Sequence, residues 1–282
     1  MKPDLHLHST MSDGMRKPED LYALCVNRGI THMSLTDHDT YAGLDVVEKI
    51  QGPIHWIPGI ELSLKPMRSF HLLLYGDGRK TRMQDKVETL HAARNIRAVR
   101  MMEKLEQLGL VFPDREHEWL ETAVQDPIHS VGRAHMARLL VKYGYVRSVD
   151  EAFERYLLEG RPGYVEQERM GMDEALDLAG DCGLIPVLAH PREINVPEEQ
   201  LEVLVRTWKA RGLMGMEVYH PSARSRGFDG LLRMARRYDL LVTGGSDYHE
   251  GEDDHHVLPG DMVRDWQSVE EDMTVFLTLI EG

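Results

Sequence analysis

Apolar and polar residues follow two different rhythms along this chain. Residues 3–8 (Pro-Asp-Leu-His-Leu-His) alternate with period two, which predicts a strand with Leu5 and Leu7 on one face and His6 and His8 on the other. Pro18-Glu19-Asp20 then opens a helix, with Leu21, Leu24, Cys25 and Ile30 as its apolar stripe and Gly29 at its end. The strand-and-helix rhythm continues. It predicts a strand over 32–36, a helix over 41–50 carried by Leu44, Val47 and Ile50, and a third strand from Ile54 to Leu62. A fourth strand follows over 70–76, so apolar that both of its faces are expected to be covered.

From about residue 81 the pattern turns helical. Helices are expected over 83–110, 131–143 and 149–158, followed by a loop at Gly160-Arg161-Pro162-Gly163. The first rhythm then resumes, with helices over 172–182, 198–211, 228–238 and about 268–280. Strands are expected over 185–189, 213–219 and 240–243, with a mobile polar loop from Glu250 to His256. The expected architecture is α/β, built from residues 1–80 and 182–282, with a helical insertion domain over 81–181 capping the active site.

Composition narrows the classes. The formal charge of −14 argues against broad binding to long nucleic acid, which needs a basic footprint, but allows a small anionic substrate. No run approaches the length of a membrane span, and the first residues lack a signal-peptide pattern. Cys25 and Cys182 are too scattered for a disulfide framework, and both read as buried reduced thiols of a cytoplasmic protein. The stripe Arg94-Arg97-Arg100-Lys104 reads as a solvated helix face.

The histidines and acids fall at telling places. His6 and His8 end the first strand, with Asp13 on the loop that Gly14 turns; Asp37 and His38 follow the second, and Glu61 ends the third. His71 starts the fourth, His190 follows the strand at 185–189, His220 ends the next, and Asp247 and His249 follow the last. In a parallel barrel the C-terminal strand ends share one face, where active sites are built. His6, His8, His38, His71, His190 and His249, with Asp13, Glu61 and Asp247, are too many ligands for one ion and fit two or three divalent cations. Mixed nitrogen and oxygen donors suit Mn, Zn or Fe. Three carboxylates and three divalent ions leave the pocket at about +3, an anion site within an acidic protein. Such clusters activate water and clamp the oxygens of a phosphoryl displacement.

Read in order, Asp4-Leu5-His6-Leu7-His8-Ser9 with Ser12-Asp13-Gly14, Thr36-Asp37-His38-Asp39, Gly59-Ile60-Glu61, Ala189-His190-Pro191 and Ser246-Asp247-Tyr248-His249 resemble the motifs of the PHP (polymerase and histidinol phosphatase) family. The resemblance implies a distorted (β/α)7 barrel, a trinuclear metal site and phosphoester hydrolysis. It places one metal on His6, His8, Glu61 and Asp247, a second on Glu61, His71 and His190, and a third on Asp13, His38 and His249. Residues 131–141 and 156–165 resemble the insert of stand-alone members, which include nucleoside 3′,5′-bisphosphate phosphatases and 5′-end RNA trimming enzymes. Ala134 stands where those relatives commonly have proline.

By the same resemblance, Arg133 and His135 would reach the phosphate. From its own position Arg192 is a candidate second clamp, since a guanidinium forks onto phosphate oxygens. His220 is a candidate general acid or substrate contact. The expected reaction is attack of a metal-bridging hydroxide on the phosphorus of a small nucleotide or sugar phosphate, such as a nucleoside 3′,5′-bisphosphate or AMP, with Glu61 and Asp247 essential. Short RNA 5′ ends are a further candidate. A ribose cyclic phosphate, and more distantly a C–N bond cleaved by an amidohydrolase-type site, stay open, as does a nucleotide-binding sensor without turnover.

Overall fold

The protein is described from a computed structural model covering residues 1–65, 70–126, 128–225, 227–249, 257–263 and 266–281. The elements in chain order are β1 (Pro3–Leu7), α1 (Pro18–Asn27), β2 (His32–Leu35), α2 (Leu44–Val47), β3 (His55–Trp56), β4 (Gly59–Lys65) and β5 (His71–Tyr75). Four helices follow: α3 (Arg82–Gln107), α4 (Asp114–Gln125), α5 (Arg133–Lys142) and α6 (Val149–Ala152), the last running into a π-turn at Phe153–Leu157. The chain ends with β6 (Met170–Gly171), α7 (Met172–Asp181), β7 (Ile185–Leu188), α8 (Glu198–Lys209), β8 (Gly215–Tyr219), α9 (Asp229–Arg237), β9 (Leu241–Gly244) and α10 (Gln267–Glu281).

The strands form two sheets, ordered β1-β2-β3 and β6-β4-β5-β7-β8-β9. Hydrogen bonding does not close them into one barrel among the described residues. Two isolated parallel bridges, Leu7 to Tyr248 and His38 to Glu61, lie between them. The fold is mixed α/β, with β5 antiparallel to both β4 and β7 and the other pairs parallel.

Three sequence expectations are corrected. The strand expected over Ile54–Leu62 is two strands in different sheets. Pro58, which has no N–H to donate, stands at the break. Glu61 therefore lies inside β4 and not at a strand end. The helix expected over 41–50 is a single α-turn at Leu44–Val47, flanked by tighter turns in which Leu44 N–H donates to Tyr41 O, Lys49 N–H to Val46 O and Ile50 N–H to Val47 O. The helix expected over 149–158 leaves α-geometry at Phe153. The polar loop Glu250–His256 lies outside the described residues.

The main core covers both faces of the larger sheet, with Ile60, Leu62, Leu72, Leu74, Val187, Val218 and Phe276 at its centre. A second apolar cluster is built within residues 98–165 from Met101, Leu105, Leu120, Met136, Leu140 and Leu157. Backbone and side-chain bonds tie this helical region to the N-terminal loop: Ser130 N–H donates to Met11 O, and Arg138 donates to Asp13 O. Among the described residues, no helix is long and apolar enough to cross a membrane.

Candidate metal centre

The period-two alternation of β1 puts Leu5 and Leu7 into apolar cores and turns His6 and His8 to the opposite face, all four fully buried. Glu61 comes from β4. His71 begins β5, and because β5 is antiparallel its first residue lies beside the end of β7, where Leu72 faces Leu188. The strand reversal is why a histidine at a strand start joins residues that follow strand ends.

One ligand atom each from His6, His8, Glu61 and Asp247 lies within 4.8 Å of the others, and the same holds for His8, Asp13, His38 and His249 and for His38, Glu61 and His71. His190 Nε2 lies 2.9 Å from Glu61 Oε1 and 3.2 Å from His71 Nδ1. The nine residues expected from the sequence therefore lie in one connected cluster, with Asp13 and His249 joined to Glu61 through His8 and His38. A fourth group, Glu193, His220 and Asp247, adjoins them.

The backbone is shaped to this end. Asp39, His190 and Asp247 all have positive φ, a region that non-glycine residues rarely occupy and that clusters at functional sites. Glycine is required where the chain passes closest. A Cβ on Gly245 would overlap the Cβ of His6, and one on Gly14 would overlap the carbonyl of His8. Gly14 is thus present for close approach and not for a left-handed turn.

The donor set fits cations. His6 Nε2, His8 Nε2, His38 Nδ1 and Glu61 Oε2 are buried and have no hydrogen-bond partner, an arrangement that costs free energy unless something occupies the space between them. The opposite ring atoms are oriented by neighbours. His6 Nδ1 lies 3.0 Å from Glu217 Oε1, and His249 Nδ1 lies 2.9 Å from the carbonyl of Asp247. Both partners only accept, so each Nδ1 donates and each Nε2 is left to bind inward.

Electrostatics agree. Burial alone would lower the histidines, but Asp247 and Glu61 hold His8 up at about 10. For His190 the neighbouring Glu193 and Glu61 outweigh burial and hold it at about 9. Burial pushes Glu61 up, yet His38, His71 and His6 bring it well below the carboxylate range. Protons therefore occupy imidazoles that a cation would take. Metal loading at neutral pH is expected to release protons, and apparent affinity to fall about tenfold per proton displaced for each unit of acidification. Calorimetry in two buffers of different ionisation enthalpy measures this. The sign for stability is opposite. Because His8 and His190 are raised above the ordinary 6.5, their contribution in metal-free protein is complete below that value and lost as pH rises through about 9 and 10. The metal-free melting temperature is expected to fall over that alkaline range, and the metal-loaded one to hold.

Beside the cluster lies a cavity of about 330 Å3 lined by Asp13, His38, His71, Arg94, Arg97, Arg133, Arg169, Gln167 and Phe153. The expectation of a solvated arginine stripe is half wrong. Arg100 and Lys104 are exposed, but Arg94 and Arg97 are buried and face this cavity. Arg94 donates to Asp39 at 2.8 Å and to Ser63 Oγ at 3.1 Å, and Arg97 to Gln167 at 3.0 Å. The signal was in the sequence. Positions 94 and 97 fall in phase with Leu90, Ala98 and Met101 on the buried stripe of α3.

Arg133, at the first turn of α5, lines the cavity with its guanidinium 6.0 Å from the Phe153 ring. His135 does not line it. Its Nδ1 accepts from the Gly132 N–H at the start of α5, and its ring leans on Trp119. Arg192 also stands elsewhere, paired with Glu198 at the start of α8. His220 lies beside the cluster. Its Nδ1 accepts the Ser222 N–H, so its Nε2, 3.5 Å from Asp247 Oδ2, is a donor in the neutral ring. Sequence reading missed Glu217, a wholly buried carboxylate inside β8.

The PHP domain model matches residues 4–169, which include His6, His8, Asp13, His38, Glu61 and His71. The chain belongs to the PHP family. A 5′-3′ exoribonuclease of Haemophilus influenzae is 33% identical over 253 residues, 88% of this chain and 90% of its own length. A 3′,5′-nucleoside bisphosphate phosphatase of Chromobacterium violaceum is 28% identical over 87% of this chain and 86% of its own. Among solved structures, an amidohydrolase from Chromobacterium violaceum with bound sulfate and no metal superposes with a TM-score of 0.79 at 28% identity, covering 96% of each chain. The PHP protein described here is a metal-dependent phosphoesterase, a hydrolase, and the His, Asp and Glu groups around Glu61 are its candidate metal-ligand clusters.

Proposed function

We propose that this PHP phosphoesterase hydrolyses a phosphate ester on a small nucleotide or sugar phosphate, with a nucleoside 3′,5′-bisphosphate or AMP as the leading candidates. One observation carries the reading: the candidate ligands Asp13, His38 and His71 line a cavity that Arg94, Arg97, Arg133 and Arg169 also line, with Glu193 as its other acid, next to the buried, partnerless donor set. A second phosphate on the substrate would meet guanidinium groups there while the first meets the metal centre. The relative named as a 3′,5′-nucleoside bisphosphate phosphatase supports a nucleotide phosphate as substrate, and the one named as a 5′-3′ exoribonuclease keeps short RNA 5′ ends as a candidate. The sulfate in the Chromobacterium structure supports an anion-binding fold.

Three divalent ions, of Mn, Zn or Fe, would be held by His6, His8, Glu61 and Asp247, by Glu61, His71 and His190, and by Asp13, His38 and His249. Bound there, they would supply a nucleophilic water at neutral pH and neutralise phosphate charge. The protein's own side chains do the rest. Arg133 binds non-bridging oxygens from the cavity side. His220 directs an N–H toward the opposite side of Asp247 and is placed to protonate a leaving oxygen. The helical region 81–181 acts as a cap, bringing Arg94, Arg97, Arg133 and Arg169 over the centre. The two sheets serve as walls of the distorted (β/α)7 barrel that the resemblance implies, joined at the Leu7–Tyr248 and His38–Glu61 bridges.

Phosphate release by the Mn-reconstituted protein tests this, using AMP, a nucleoside 3′,5′-bisphosphate, a 5′-phosphorylated dinucleotide, histidinol phosphate and a ribose cyclic phosphate, with metal content measured on the same sample. Turnover of the bisphosphate or AMP well above the rest is expected. Selective opening of the cyclic phosphate would make it a diesterase. No phosphate from any, with metal bound, would sink the reading. Arg133→Ala is expected to lower kcat/KM by about 100-fold with metal content intact, as for loss of one preorganised charge-stabilising donor. Unchanged kcat/KM would remove Arg133 from the substrate site.

A further inference from the structure

Glu217 is a wholly buried carboxylate beside the centre that the reading above leaves without a task as a ligand. Its two oxygens serve two segments that are far apart in the chain. Oε1 lies 3.0 Å from His6 Nδ1, and Oε2 accepts the backbone N–H of His190 at 2.7 Å. His190 has φ 25°, so that N–H bond anchors a residue in an unfavourable backbone conformation.

We propose that Glu217 is a positioning residue: it fixes the ring of His6 with Nε2 inward and holds His190 in place, so that one carboxylate sets ligands of two different ions. The proposal rests on the metal-dependent reading of the site. A carboxylate only accepts, so His6 Nδ1 must donate to it, and the lone pair His6 can offer a cation is at Nε2. That atom is buried, partnerless, and 3.3 Å from Glu61 Oε2 and 3.4 Å from Asp247 Oδ1.

An isosteric amide, as in Glu217→Gln, should invert this arrangement. The His190 N–H cannot change role, so the oxygen of the new amide would have to face it. The amide nitrogen would then face His6 Nδ1 as a donor. Nδ1 would accept, the ring proton would sit on Nε2, and the lone pair would point away from the centre. Volume and the bond to His190 are unchanged, so a residue that merely pins the backbone would tolerate the substitution.

The test compares wild type, Glu217→Gln and Glu217→Asp. Mn2+ binding to metal-free protein is measured by titration calorimetry. The protonated nitrogen of His6 is read from 15N ring shifts of the Zn2+-loaded protein, a diamagnetic state. For Glu217→Gln the expected result is a 10- to 100-fold loss of affinity in one class of sites, with the His6 proton on Nε2. Glu217→Asp should keep the proton on Nδ1 and recover part of the affinity. Equal Mn2+ affinity and stoichiometry in Glu217→Gln would overturn the proposal. So would a wild-type His6 protonated on Nε2, which needs no variant to fold. None of these readouts is turnover. A wild-type protein that binds Mn2+ as expected and hydrolyses no phosphoester would sink the functional reading and leave this one standing.

Discussion

Glu61→Gln is expected to lower kcat/KM by roughly a thousandfold or more and to remove at least one equivalent of bound metal. The reason is how much converges on one carboxylate. Oε1 lies 2.9 Å from both His71 Nδ1 and His190 Nε2. Oε2 lies 3.0 Å from His38 Nδ1 and 3.3 Å from His6 Nε2 and His8 Nε2. Glutamine has the same shape but half the acceptor capacity and none of the charge. Its NH2 would point at ring nitrogens that must stay unprotonated to hold a cation. Metal analysis after dialysis, run beside the substrate panel, measures both effects. Full metal content with less than a tenfold loss of kcat/KM would show that Glu61 is not a metal ligand.

The second large effect is on stability. Arg94→Ala is expected to destabilise the protein by about 3–5 kcal/mol, the range seen when one partner of a buried ion pair is removed. Arg94 and Asp39 are both buried and pair at 2.8 Å. Asp39 also accepts the Ser63 N–H at 2.9 Å, so the orphaned carboxylate would sit against β4, two residues from Glu61. Removing both charges, in Arg94→Leu with Asp39→Asn, should recover much of the loss, since it is the lone charge that costs most. Denaturant unfolding at a fixed metal level measures it. A loss below about 1 kcal/mol for Arg94→Ala would mean that water reaches Asp39. Arg94→Lys should lie between, keeping the charge without the planar fork that reaches Asp39 and Ser63 together.

His135 carries a smaller effect at acid pH. Burial, the largest influence, and the nearby Arg138 and Arg94 outweigh Asp13 and hold it down at about 4, against an ordinary 6.5. A lowered histidine costs stability as pH falls through 6.5, because the unfolded chain takes up the proton first. His135→Gln keeps an acceptor for the Gly132 N–H and should flatten the acid limb of the stability profile between those two values.

Much of the centre was legible because its ligands come from short motifs. His6 and His8 share a face by the period of a strand alone. Asp247 and His249 lie two residues apart on one loop. Such local relations survive whatever the rest of the chain does. The alternation of strands and helices likewise announced an α/β fold, which follows from each segment's need to bury one face. What could not be read locally was the direction and partnership of strands. An apolar run such as 71–75 looks the same parallel or antiparallel, and only pairing with β4 and β7 reverses it. That reversal decides that His71, at a strand start, reaches Glu61.

The same limit explains the arginines and Glu217. A charged residue on an apolar stripe is ambiguous until its partner is known, and the partners are distant: Asp39 lies 55 residues from Arg94, and His6 lies 211 from Glu217. By itself, then, the sequence determined which side chains are chemically able to hold cations and roughly which strand ends carry them, because composition and local periodicity are properties of neighbouring residues. Only the tertiary structure decided that Arg94 and Arg97 face the cavity, that Arg192 and His135 do not, and that Glu217 lies behind His6. Burying a charge is tolerable only where a counter-charge or hydrogen-bond partner meets it, and that meeting is made by packing across the whole chain.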